Sequence, residues 1–405
     1  MVELVAERGY GGVTVRELSR LAGVSTKTFY ECFENVEDSF AATYARIVRD
    51  TLRRATESPS GPEGRLRTRI RTFFEVLGEE PKAARLILVD ALSAGPALIS
   101  RTRVSGRALE RFVGDELAAA ASPVPIQPGI VDGAAAAALH LARSRLLSGC
   151  PASSSVIADE FANWLLILRG SASLGGRRDS TAAAAGGRPA PEPTPEIGDD
   201  RCFLLAAVTR LSMRDGYANL TVPAICREAG VSRRSFDQHF DGIAGCFLAA
   251  VETTIADAVA GAMTQAAAAD SWERAVVRAV ATLCAEFARE PALARLGVVD
   301  ILAPGRAGLE LRERMIVRWA RRLRHTAPAD VRPGQLAAEA SVAATMGIAA
   351  TAAAAGRADR IVRAVPSVAF VVLAPAIGPA AAERKIANEL RAREREVRKH
   401  STQFP

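Results

Sequence analysis

Apolar residues recur at spacings of three and four along most of the chain, as at Ile70, Phe73, Phe74 and Leu77. That is the period of a helix with one buried face. No stretch alternates apolar and polar residues between turn signals, so the pattern predicts an all-α protein. Helix breaks fall at Gly78–Pro81, Ser122–Gly129, Ser148–Ser154, Ala303–Gly308 and Thr326–Gly334. From 171 to 198 the period disappears and Gly, Ala, Pro and Ser dominate, the composition of a flexible linker. A coil of about 30 residues spans roughly 30 Å, enough to let two domains lie side by side.

The pattern also repeats. Thr14–Phe33 reads TVRELSRLAGVSTKTFYECF, and Thr221–Phe240 reads TVPAICREAGVSRRSFDQHF. A shift of 207 positions superposes Gly23-Val24-Ser25 on Gly230-Val231-Ser232, and Phe29, Phe33 and Phe40 on Phe236, Phe240 and Phe247. A weaker echo pairs Glu79–Pro96 with Arg289–Arg306, with Pro81 and Pro291 each opening a helix. The duplication therefore covers whole halves of the chain.

Within the first copy, Thr14 N-caps a short helix, with Glu17 as its capping-box partner. Gly23 closes that helix in the left-handed region, and Ser25 caps a second helix over Thr26–Phe33. The expected buried set is Val15, Leu18, Leu21, Val24, Phe29 and Phe33, which leaves Thr26, Lys27, Thr28, Tyr30 and Glu31 outward. This is the pattern of a helix-turn-helix, whose second helix enters the major groove of DNA. One such copy is also compatible with a plain corner in a helical bundle. Two copies with the same glycine, valine, serine and phenylalanines favour the DNA reader.

The stretches ERGYGGVTVRELSRLAGVSTKTFYECFENVEDSF and MRDGYANLTVPAICREAGVSRRSFDQHFDGIAGCF resemble the N-terminal domain of the tetracycline-repressor (TetR) family. The resemblance implies two tandem all-α units, each a three-helix DNA-binding head followed by a helical ligand-binding and dimerisation body. It places the heads at 1–50 and 199–250, the bodies at 51–170 and 251–382, the linker at 171–198 and a charged tail at 383–405. It implies a double-stranded operator as partner, a small-molecule effector, and repression. The two halves are expected to pair within the chain as a pseudo-dimer; pairing of like halves in a homodimer is the competing arrangement. The DNA-facing residues it implies are Thr14, Ser25, Thr26, Lys27, Thr28 and Tyr30 in the first head. In the second they are Thr221, Ser232, Arg233, Arg234, Ser235 and His239. The chain departs from the family pattern at Cys32, Asp237, Val36 and Ile243. Copy one also starts about half a helix late relative to copy two, which implies a short first helix or a differently placed start.

Charge qualifies this picture. The net charge is +7, but Met1–Asp50 holds six basic residues against eight acidic ones, and 199–250 holds six of each. DNA affinity must therefore come from focal contacts rather than a broad basic field. The basic excess lies in runs such as RTRIRTFF and RMIVRWARRLRH, read as solvated helix faces. The six scattered cysteines form no C-x-x-C pair, which fits a reducing cytoplasm. Neither a signal peptide nor an apolar run of membrane-spanning length is expected, and so no membrane partner. Four histidines, with no glycine-rich phosphate loop and no paired ligands, offer no catalytic residue, cofactor or metal site.

In the bodies, the alanine-rich helices expected at 129–148, 153–169, 334–354 and 358–374 suit close interhelical packing. Candidate walls of an apolar effector pocket are Phe73, Phe74, Leu77, Phe112 and Trp164, and Leu283, Phe287, Trp319 and Phe370. An aromatic at helical spacing is more often a plain core residue. His140, alone in an apolar helix, is either a ligand contact or a satisfied histidine. The tail from Glu383 reads as a solvated helical extension. The alternative to a regulator is a ligand- or protein-binding module whose heads have degenerated for DNA.

Overall fold

The computed structural model describes residues 1–58, 64–93, 96–119, 128–148, 154–169, 200–354 and 358–401. The linker expected at 171–198 lies outside them. Among the described residues there are helices and turns and no strand. In the first half the helices are α1 (Val2–Arg8), α2 (Val15–Ala22), α3 (Thr26–Cys32), α4 (Val36–Thr56), α5 (Arg65–Glu79), α6 (Pro81–Arg85), α7 (Ala91–Ser93), α8 (Pro96–Ala119), α9 (Pro128–Ser148) and α10 (Ser154–Leu168). The second half continues with α11 (Asp200–Asp215), α12 (Val222–Ala229), α13 (Arg233–His239), α14 (Ile243–Ala266), α15 (Trp272–Arg289), α16 (Pro291–Val298), α17 (Arg306–Thr326), α18 (Gln335–Ala354), α19 (Ala358–Arg363), α20 (Val365–Ile377) and α21 (Pro379–Ser401).

These helices pack as two units. The first comprises Met1–Gly170 together with Pro304–Arg324 and Pro333–Ala344, so most of α17 and the first half of α18 join it despite lying beyond the second head in sequence. Its core is built where α4 meets α5 and α8, α5 meets α10, and α8 meets α9. Phe73, Phe74, Phe112, Phe161 and Trp164 are all buried there. Their rings contact in series: Phe73 with Phe74 and Phe112, Phe74 with Phe161, and Phe161 stacked on Trp164. The arginines of the RTRIRTFF run, of which Arg71 is exposed, also make contacts within the unit. Arg69 pairs with the buried Glu116, Arg67 bonds Asn163, and Arg71 reaches Asp159 at 2.7 Å. These contacts hold α5 against α8 and α10.

The second unit comprises Ser171–Ala303, His325–Arg332 and Thr345–Pro405. In it α15 packs against α14, α20 and α21. The expected solvated tail is instead part of this body. Ala382 and Ile386 on α21 are fully buried, and the buried Glu389 accepts from Arg274 at 2.6 Å and Arg278 at 2.5 Å. The charge density of the segment concealed its small apolar stripe, and a buried carboxylate persists only when paired in this way.

Three stretches, Ile243–Ala266, Gln335–Ala354 and Arg360–Ile377, are long and apolar enough to cross a membrane by length and composition. This corrects the reading that no apolar stretch is long enough. In the first two, the many alanines raise the mean hydropathy without a conspicuous run of large side chains.

The expected buried set of the first head also needs correction. Leu21 is 54% exposed and Val24 42% exposed. In the second head the 16-residue α11 lies across both α12 and α13. Leu21 aligns with Glu228, a charged residue. Leu21→Glu is expected to change unfolding free energy by no more than about 0.5 kcal/mol, whereas Phe29→Ala should cost about 3–5 kcal/mol. Chemical denaturation of the two variants tests this difference.

Candidate nucleic-acid interface

Each head is assembled by the same local hydrogen bonds. Thr14 Oγ1 accepts from the Glu17 N–H at 3.3 Å, and its hydroxyl donates to Glu17 Oε2 at 2.9 Å. That hydroxyl contact, with Arg8 nearby, holds the Glu17 carboxyl below its usual range. Thr221 caps α12 alike, accepting from Ala224 N–H at 3.3 Å. Gly23 (φ 67°, ψ 26°) and Gly230 (φ 70°, ψ 24°) end their helices in the left-handed region, where a Cβ is costly. The next N–H groups close the turn back: Val24 onto Ser19 O at 3.0 Å, and Val231 onto Cys226 O at 3.1 Å. Ser25 then accepts from Thr28 N–H at 3.0 Å and Ser232 from Ser235 N–H at 3.1 Å. These two serines start the reading helices α3 and α13.

One aromatic on each reading helix faces inward: Phe29 is 5% exposed and Phe236 1%. The helical period then decides what faces outward. On α3, Thr26, Lys27, Thr28 and Tyr30 are all exposed. On α13, Arg233, Arg234 and His239 are exposed, but Ser235 is not. Ser235 is buried and its hydroxyl donates to Asp200 at the start of α11, so the expectation that it faces DNA is corrected. The longer α11 supplied the partner that turned it inward. Arg233 Nε donates to both carboxylate oxygens of Asp237, at 3.2 and 3.1 Å. Lys27 and Arg234 form no ion pair among the described residues.

The family described as bacterial regulatory proteins, tetR family, matches residues 2–43 and again residues 204–250. The two matches coincide with the two capped, glycine-turned heads. Both heads are TetR-type. The chain's class is that of the DNA-binding transcriptional regulators.

The two TetR-type heads share a backbone and differ in chemistry. The first presents Thr, Lys, Thr and Tyr; the second presents two arginines, one of them engaged by Asp237. Arg201 on α11 also lies over the Phe240 ring, 5.8 Å from its centroid, a contact the shorter α1 does not reproduce.

In the bodies the aromatic candidates other than Trp319 are buried. Phe73 and Leu77 border a void of only about 50 Å³, too small for a drug-sized ligand. Trp164 is buried with its Nε1–H donating to Ser341 Oγ at 3.2 Å. The second candidate wall does not form as expected. Trp319 belongs to the first unit, whereas Phe287 and Phe370 are buried in the second. The sequence grouped them by position, but α17 packs with the other half.

His140 has the most informative surroundings. It is fully buried. Its Nδ1 bonds the Glu313 carboxylate, whose other oxygen accepts from Arg143 at 3.1 Å, and its Nε2 faces Glu339 at 3.8 Å. Arg312, also buried, is pushed down to about 10 by desolvation, with Arg143 adding repulsion. Spacing alone had no means of finding Glu313 or Glu339, which lie more than 170 residues from His140. Burial by itself would push the imidazole down. The Glu313 and Glu339 carboxylates outweigh it and hold His140 above its usual range.

A histidine that binds its proton more tightly when folded contributes full stability below the unfolded value of about 6.5. That contribution is lost as pH rises through the folded value. The wild-type chain should therefore lose stability relative to His140→Gln as pH climbs from about 6 to 9. Urea titrations across that range, with equal slopes for the two proteins, would refute the linkage.

Proposed function

We propose that this chain is a transcriptional repressor of the cytoplasm that presents both heads from one polypeptide to one two-fold operator, and that a small hydrophobic or amphipathic effector releases it. The observation that carries the reading is the duplicated geometry: two reading helices, each fixed by a left-handed glycine, a serine cap and one buried phenylalanine, each with a polar face outward. A dyad-related DNA site needs two readers spaced by a helical turn or a multiple of it, and a tandem chain supplies both. Intramolecular pairing is supported by the first unit, where α9 of the first half meets α17 of the second through His140 and Glu313, and α10 meets α18 through Trp164 and Ser341. In this reading the heads occupy 1–50 and 199–250, joined through bodies at 51–170 and 251–382. Effector release is read as a shift in population toward head arrangements that no longer fit the groove.

The DNA contacts are assigned to Thr26, Lys27, Thr28 and Tyr30 in one head, and to Arg233, Arg234 and His239 in the other. Thr14, Ser25, Thr221 and Ser232 position backbone N–H groups near phosphate through their caps. Because the outward side chains differ, the half-sites are not equivalent, and the operator is asymmetric in sequence.

Footprinting of the purified chain on genomic fragments, followed by gel shift at several salt concentrations, tests the reading. Lys27→Ala and Arg234→Ala should each weaken specific binding, by about 1–3 kcal/mol where the side chain reads a base. Where it meets phosphate, each should instead lower the salt slope by about one. Asp237→Asn should tighten binding, since it frees Arg233 and removes a carboxylate from the phosphate side. Absence of DNA binding at any salt concentration would favour a ligand- or protein-binding module with degenerate heads.

A further inference from the structure

The first unit holds a cleft of about 330 Å³ that none of the sequence candidates lines. Its volume is at the lower end of small-molecule sites. Its walls are α9, α10 and the start of α18. Leu141, Ile157 and Leu336 supply an apolar floor, and Glu160 and Glu339 supply two carboxylates. Arg145 is the only basic residue in the wall. Glu339 is placed to be ionised: burial would raise its carboxyl, but the nearby His140 and the hydrogen bond donated by the Gln335 amide hold it below its usual range. Behind it lies the fully buried His140, whose Nε2 has no hydrogen-bond partner and faces Glu339 Oε2 across 3.8 Å. That separation is too long for a hydrogen bond. The Glu339 carboxylate therefore retains acceptor capacity toward the cleft.

We propose that this cleft binds a small organic cation, an ammonium on an apolar body, with the charge held by Glu339 and Glu160 and the body on Leu141, Ile157 and Leu336. Its regulatory consequence rests on the ligand-responsive reading above; the binding itself does not. Binding also moves a proton. His140 is faced by Glu313 from α17, Glu339 from α18 and Arg143 on its own helix, with Arg312 acting on Glu313 and Arg321 on Glu339. An ammonium arriving at Glu339 competes with the imidazolium for the same carboxylate, and His140 gives up its proton to solvent.

The test uses the full chain without DNA and three probes of one shape: tryptamine, the neutral indole-3-ethanol and the anionic indole-3-acetate. Calorimetry should show saturable tryptamine binding, with the other two weaker by about ten-fold or more. Heats measured in buffers of different ionisation enthalpy should report proton release, and His140→Gln should abolish that release. Glu160→Gln at the exposed rim, and Leu336→Trp filling the floor, should each weaken tryptamine by about ten-fold with an unchanged circular dichroism spectrum. Equal affinity for the three probes, no saturable binding at millimolar tryptamine, or indifference to both substitutions would overturn the proposal. The same preparation on its footprinted DNA separates the two readings. Tryptamine binding that leaves DNA affinity unchanged keeps the cleft and removes effector release by this route. DNA released by another compound, with tryptamine silent in the calorimeter, removes the cleft and keeps the release reading.

Discussion

One buried phenylalanine per reading helix, Phe29 in the first head and Phe236 in the second, is the contact on which both heads depend. A seven-residue helix has no independent stability in water, because nucleation costs more than so few hydrogen bonds return. It persists here because a serine cap starts it, a left-handed glycine fixes its angle of entry and the aromatic anchors it. Once the anchor is inside, a period of 3.6 residues leaves no choice about the opposite face. The residues that face outward are thus consequences of a packing contact made on the opposite side of the helix.

The same scaffold carries two heads with different contacts. Over sixteen residues α11 brings Asp200 and Arg201 onto α13, where they engage Ser235 and Phe240. In the first head Arg8 on α1 bonds Glu17 on α2, and Leu21 and Val24 are exposed. One head therefore has a reading helix clamped from above, and the other holds its helix mainly through its own caps and anchor. Their outward chemistry diverges too: one lysine among hydroxyls and a tyrosine, against two arginines of which Asp237 engages one.

Deep in the first unit a different constraint operates. His140, Arg143, Arg312, Glu313 and Glu339 bring five titratable groups into or beside a core otherwise built of alanine and leucine. Charges in such a place are worth little as net stability, since desolvation consumes most of their attraction. They do make other arrangements expensive, because any shift of α17 against α9 strands a charge. Smooth alanine faces would slide past one another at small cost. The charged cluster supplies a register that they lack.

The sequence by itself determined a great deal. Helical periodicity, the repeat, both glycine turns and all four caps (Thr14, Ser25, Thr221, Ser232) are local properties, set by neighbours within a few residues, and they were legible there. So was the outward face of α3. What only the tertiary structure decided were matters of long-range company. Ser235 turned inward onto Asp200, and Leu21 stayed out at the position where the second head has the exposed Glu228. Trp319 went with the first unit, and the charged C-terminal helix docked through Glu389. His140 found carboxylates more than 170 residues away. Each of these outcomes depends on which surface arrives opposite a side chain. Periodicity says which side of a helix is buried, but never what it is buried against.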